Sequence, residues 1–131
     1  MAQGSGSAAQ KVSVYLLAMA LCAVLYASTG AQAAGATYVV GGPGGWTFNT
    51  DSWPKGKRFA AGDFLVFNYN PAVHNVVPVN RAGYSRCSAP PRARAFASGK
   101  DKIKLMKGQN YFICSIAGHC DSGMKIVINA A

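Results

Sequence analysis

The chain of 131 residues contains no glutamate, and its only carboxylate side chains are the four aspartates Asp51, Asp63, Asp101 and Asp121. Against thirteen Lys and Arg this leaves a formal net charge of +9. Such a surface favours acidic partners. Nucleic acid is not expected among them, because the basic residues are dispersed from Lys55 to Lys125 and no nucleic-acid-binding motif accompanies them. An acidic redox protein or small redox molecule, an anionic membrane surface or an anionic cell-wall polymer suits the charge better.

Other absences narrow the class further. Histidine occurs only at His74 and His119. That is too few for the multinuclear metal site an oxygen-handling oxidase would need, so an enzyme is not expected. No Asn-x-Ser/Thr acceptor occurs, which excludes N-linked sugar. The ending IVINAA lacks the polar spacer and apolar tail of a lipid-anchor signal, so no membrane anchor is expected and the protein should be a free monomer. The apolar run from Val12 to Ala27 is shorter than the ~20 residues a spanning helix usually needs. Preceded by a polar stretch with Lys11 and followed by STGAQAAGA, it has the order of a secretory signal peptide. Residues 1–35 are expected to be that signal, with cleavage uncertain by about two residues, and 36–131 to form one domain of a secreted, extracellular protein of the apoplast or cell wall.

No part of the mature chain sustains an amphipathic period of 3.6 residues. Short apolar segments recur instead: TYVV at 37–40, FLVFNY at 64–69, HNVVPV at 74–79, KIKL at 102–105, YFIC at 111–114 and KIVI at 125–128. Clusters of Gly, Pro, Asn, Asp and Ser separate them, which predicts an all-β sandwich or barrel. Pro78 removes a ladder donor from its segment, so that strand should lie at an edge or carry a bulge. A helical turn is expected at 81–85, ahead of a long surface connection from Cys87 to Lys100. Trp46, Phe48, Phe64, Phe67 and Phe112 are expected in the core.

What is present in concentrated form is chemistry near the end of the chain. YFICSIAGHCDSGMKIVI, from Tyr111 to Ile128, sets Cys114, His119, Cys120 and Met124 close together. With Cys22 in the signal, Cys87, Cys114 and Cys120 remain, and an odd number in an oxidising compartment leaves one thiol unpaired. Arithmetic alone leaves all three pairings open. The spacing Cys114-x4-His119-x4-Met124, with His74 as the other imidazole, matches the thiolate, two imidazoles and weak axial thioether of a blue copper centre. Soft sulfur donors suit Cu(I) while thiolate and imidazole hold Cu(II), so one geometry serves both oxidation states. If Cys114 is the copper thiolate, Cys87 and Cys120 are left to form the disulfide. A zinc site would call on several free thiols in a secreted protein, which is the weaker position.

YVVGGPGGWTFNTDSWPKGKRFAAGDFLVFNY, HNVVPVN and YFICSIAGHCDSGMKIVIN together closely resemble the phytocyanins of plants, and within them the plantacyanin or basic blue protein branch. The resemblance spans nearly the whole mature chain. It implies an all-β, cupredoxin-like two-sheet Greek-key sandwich holding one type 1 copper on His74, Cys114, His119 and Met124, with a Cys87–Cys120 disulfide. Met rather than Gln at position 124 is similar to plantacyanins and unlike stellacyanins. It further implies that Asn75 ties the two ligand loops together by hydrogen bonding. The expected function is single-electron transport. The alternative, from another class, is a cell-wall or cell-surface signalling protein in which copper is structural. His119, in the Gly-flanked loop Ala117-Gly118-His119, should be the more exposed imidazole, and His74, ahead of NVVPV, the deeper one.

Overall fold

The computed structural model describes residues 35–131. The segment read as a secretory signal, Gly35 apart, lies outside the described residues. Six strands and one short helix follow in the order β1 (Thr37–Val39), β2 (Phe64–Asn68), β3 (Val77–Val79), α1 (Arg81–Arg86), β4 (Lys100–Lys104), β5 (Gly108–Ile113) and β6 (Lys125–Ala130). They form two three-stranded sheets, ordered β1-β2-β4 and β3-β5-β6, so the chain changes sheet at each step from β2 to β5. The first sheet pairs β1 parallel and β4 antiparallel to β2; the second is antiparallel throughout.

Period-2 alternation builds the core. Leu65 and Phe67 from β2 meet Phe112 from β5 and Ile126, Ile128 and Ala130 from β6, together with Val40, Trp46, Val76, Cys114 and Met124. The outer face of the second sheet is covered as well. Val77, Ile113 and Cys120 form a smaller cluster there under Tyr84 of α1 and the segment Cys87–Ala93. Asn80 caps α1 by accepting a hydrogen bond from the Gly83 N–H at 2.8 Å, which satisfies a donor the first helical turn leaves free. Gly83 has to be glycine for that docking, because a Cβ there would lie 2.8 Å from the Val79 Cβ and 2.7 Å from the Ser88 carbonyl.

Pro78 does lie on an edge strand, β3, opposite Phe112 of β5. Strand β4 begins at Lys100, two residues before the apolar segment that announced it. Its first half reads as polar because Lys100 and Lys102 point outward, while inward-facing Asp101 is buried with hydrogen bonds from the Tyr69 and Ser98 hydroxyls. Two aromatic residues depart from the core assignment. Trp46, Phe67 and Phe112 are buried, but Phe48 is 40% exposed and Phe64 lies on the outer face of β2, with the Lys102 ammonium 4.6 Å from its ring centre. Aromatic character marks a large apolar surface without saying which side of a strand carries it.

Candidate metal centre

Three loops meet at one end of the sandwich. The turn at Asn70–Val73 closes through the His74 N–H to the Asn70 carbonyl at 3.1 Å and the Ala72 N–H to the Asn70 Oδ1 at 3.0 Å, and it delivers His74 just before the chain enters the core at Val76. Cys114 directly follows β5, wholly buried, and its N–H donates to the Met124 carbonyl at 3.0 Å. Between these two residues the chain makes a compact series of turns. His119 N–H donates to the Ile116 carbonyl at 3.0 Å, and Met124 N–H to the His119 carbonyl at 3.1 Å. Gly118, with φ of +81°, supplies the left-handed conformation in that loop. Cys120, directly after His119, is bonded to Cys87 at the end of α1, which leaves Cys114 as the free thiol among the described residues.

The side chains converge accordingly. His74 Nδ1 and His119 Nδ1 lie 3.1 Å apart, and Cys114 Sγ is 3.5 Å from the His119 Nδ1 and 4.0 Å from the His74 Nδ1. A point equidistant from three atoms so spaced lies about 2.1 Å from each, the length of a bond between a first-row metal and imidazole nitrogen. The donor triangle therefore fits one metal ion. Burial holds the His74 imidazole below its ordinary range, and the neighbouring His119 adds to the effect. The neutral form that a metal requires is thereby favoured. Met124 is fully buried in the same cluster as Cys114, with its main chain bonded to both Cys114 and His119. With thiolate, two imidazoles and a thioether, the donor chemistry suits copper.

Asn75 joins two of the loops. Its Nδ2 donates to the Ser115 Oγ at 2.8 Å and its Oδ1 accepts from the Ser115 N–H at 2.8 Å, so the residue after His74 is clamped to the residue after Cys114. Trp46 holds the same residue from behind by donating its indole N–H to the Asn75 carbonyl at 2.9 Å. Gly45 allows Trp46 to sit there: with φ of +71°, it passes so close to β2 that a Cβ would lie 2.6 Å from the Asn68 carbonyl. Phe48 meets both imidazoles edge-on, at 4.9 Å from His119 and 5.6 Å from His74 between ring centres. His119 is half-buried, and so is His74. Its turn Asn70–Val73 carries it to the rim, as the Gly118 turn carries His119. Trp46, Phe48 and Ser115 were not legible as site residues, because each contributes through a partner distant in the sequence.

Comparison with known proteins agrees with this geometry. Residues 46–124 match a family model described as a plastocyanin-like domain. The basic blue protein of Cucumis sativus is 67% identical over 95 residues, covering 72% of this chain and 99% of that protein. Among solved structures, cucumber basic protein, a blue copper protein, superposes with a TM-score of 0.72 at 67% identity, over 73% of this chain and 100% of that one. This chain belongs to the phytocyanins, in the plantacyanin branch. Chemocyanin of Lilium longiflorum is 52% identical to this phytocyanin over 131 residues, 100% of both chains. The two-sheet fold is the cupredoxin type, and the donor set supports one type 1 copper in this phytocyanin as in its blue copper relatives. Among the described residues, no helix is long and apolar enough to cross a membrane.

Proposed function

We propose that this phytocyanin is a secreted single-electron carrier whose copper would be held by His74 Nδ1, Cys114 Sγ and His119 Nδ1, with the Met124 thioether as a further, weaker donor. The observation that carries the reading is the convergence of the two imidazole nitrogens and the buried thiol onto one point at bonding distance. When bound, copper supplies one-electron exchange between its cupric and cuprous states.

The chain's own residues make the site suited to that task. Cys114 is fully buried, which keeps water from the thiolate. The Asn75–Ser115 clamp and the indole bond from Trp46 hold two donor loops at a preset spacing, so little rearrangement is needed when the charge at the site changes. Each imidazole turns Nδ1 inward and leaves Nε2 on the far side of its ring. The rim around the two rings carries Phe48, Val73 and Ile116, exposed by 40, 47 and 43%, and a redox partner can approach there without a desolvated charge in the way. An acidic partner would be drawn to the molecule by its excess of Lys and Arg over Asp and seated on this uncharged rim.

Copper titration of the mature protein tests the proposal. An intense blue band should grow to one equivalent of Cu(II) and bleach and return on reduction and reoxidation. Cys114→Ser should abolish the band completely, since the thiolate is its electron donor. A colourless wild-type adduct would overturn the assignment.

A further inference from the structure

The outer face of the first sheet carries a second feature that the copper chemistry does not use. Strand β4 alternates strictly, with Lys100, Lys102 and Lys104 exposed and Asp101 and Ile103 turned inward. Alternate residues on a strand stand roughly 6.8 Å apart, so the three lysines leave the sheet in a row of regular backbone pitch, with the Lys102 ammonium lying over the Phe64 ring. Register places Asn68, Val66 and Phe64 of β2 directly beside Lys100, Lys102 and Lys104. Thr37 and Val39 of β1 lie beside Phe64 and Val66 in the next row. Among the described residues of β1, β2 and β4, no carboxylate points out from this face. The one acid of β4, Asp101, is buried and accepts from the Tyr69 and Ser98 hydroxyls. Asp63, just before β2, is likewise buried, with its two oxygens accepting from the Ala36 and Ala60 N–H groups at 3.0 and 2.9 Å.

We infer that this lysine ladder binds a linear carboxylated polysaccharide, a polyuronate chain lying along β4. The inference rests on the extracellular reading proposed above, which brings the protein to such polymers. Three arguments favour this occupant. Lysines set out at constant backbone pitch along one strand complement a linear polymer with charge in every repeat, whereas the patch of a folded acidic protein has no such period. The flat face beside the ladder, with Val39, Val66 and Thr37 outward, offers sugar rings small apolar and hydroxyl contacts. Single-stranded nucleic acid needs aromatic platforms for its bases. Phe64 is the one aromatic residue on this face, and Lys102 already covers it at 4.6 Å. Each lysine contributes weakly, as exposed charge pairs do. Affinity then comes from several contacts held at once along one chain.

The test is equilibrium binding of the copper-loaded protein to immobilised polygalacturonate, fully methyl-esterified polygalacturonate and single-stranded DNA. Polygalacturonate should bind at 0.05 M salt and be released by 1 M salt, where the Debye length shrinks to about 3 Å. The esterified polymer, which lacks the charge, should not bind. Lys100→Gln/Lys102→Gln/Lys104→Gln should weaken binding by roughly tenfold or more. Lys55→Gln/Lys57→Gln/Arg58→Gln removes the same charge from another surface and should weaken it by no more than about threefold. Replacing the three ladder lysines by Arg should preserve binding, which separates charge at these positions from a fault in folding. Equal losses in the two Gln variants would mean that only net charge matters, and tighter binding to DNA than to polygalacturonate would name the wrong polymer; either overturns the inference, as does no binding at all. Failure of the copper reading would show instead in the blue band, which this measurement does not use.

Discussion

The loop end that gathers the histidines and the outer face of the first sheet are made of opposite materials. Residues 41–49, 70–79 and 115–119, which carry the rim of the loop end, contain no Lys, Arg, Asp or Glu, and the one charged residue in the rest of the turn up to Met124 is Asp121. Their exposed side chains include Phe48, Val73 and Ile116. The sheet face carries Lys100, Lys102 and Lys104 with no carboxylate to offset them. The difference shows how a strongly cationic chain keeps a neutral, apolar approach to its donors. Positive charge close to the donor triangle would oppose a bound cation and bias its potential, whereas charge on a sheet flank attracts partners at a distance and leaves the site alone. Long-range attraction and close contact are assigned to separate surfaces.

Breaking the clamp that assembles the loop end should have the largest of the remaining effects. Asn75→Ala removes both hydrogen bonds to Ser115, and loss of such a supporting contact weakens metal sites by roughly 10- to 100-fold. Copper affinity measured by competition with a chelator should fall by that amount while polygalacturonate binding stays as it was. Unchanged affinity would mean that the strands alone set the donor spacing.

Met124 sharpens the same end of the comparison. Met124→Gln supplies a harder oxygen donor that favours Cu(II) and should lower the reduction potential, and Met124→Leu removes a donor and should raise it. Voltammetry that found both variants at the wild-type potential would make Met124 a packing residue only.

The smallest effect belongs to the polar buttress beneath the lysine ladder. Burial, and then the hydrogen bond to Asp101, push the Tyr69 phenol up to about 12. Because the folded state holds this proton more tightly than the unfolded chain, whose phenol titrates near 10, the contribution to stability is complete below about pH 10 and is lost as pH rises through about 12. Urea midpoints for wild type and Tyr69→Phe should therefore differ most near pH 9 and converge toward pH 12. A gap that stayed constant across that range would show that Tyr69 acts through packing and not through its proton.

Much of this was legible in the chain itself. Alternating apolar segments announced strands near their true positions, because a half-buried strand must repeat every two residues. Pro78 marked an edge strand because it cannot donate to a ladder. The donor types stood in view, as thiol, imidazole and thioether at close spacing have few other common purposes. The pairing of Cys87 with Cys120 followed only once Cys114 was set aside for a metal, and the structure contains that bond. Phe48 was misplaced because hydrophobicity does not distinguish a core residue from an exposed ring beside two imidazoles. Lys100 and Asp101 hid the start of β4, since the inward acid is satisfied by Tyr69 and Ser98, partners 32 and 3 residues away.

By itself, then, the sequence determined which groups were available: strands with one apolar side, a thiol left over from pairing, two imidazoles, and an excess of cations with few acids. Those are local properties, set by side-chain chemistry and the two-residue period of an extended backbone. Tertiary structure alone decided how they meet. His74 reaches His119 across 45 residues, and Asn75 reaches Ser115 across 40, only because β3 and β5 are neighbours in one sheet. The lysines form a bare ladder because α1 and the disulfide-tied segment cover the second sheet and, among the described residues, nothing comparable covers the first. Strand order and register bring distant residues within a few ångströms and leave one face open, and no pattern along the chain encodes either distance.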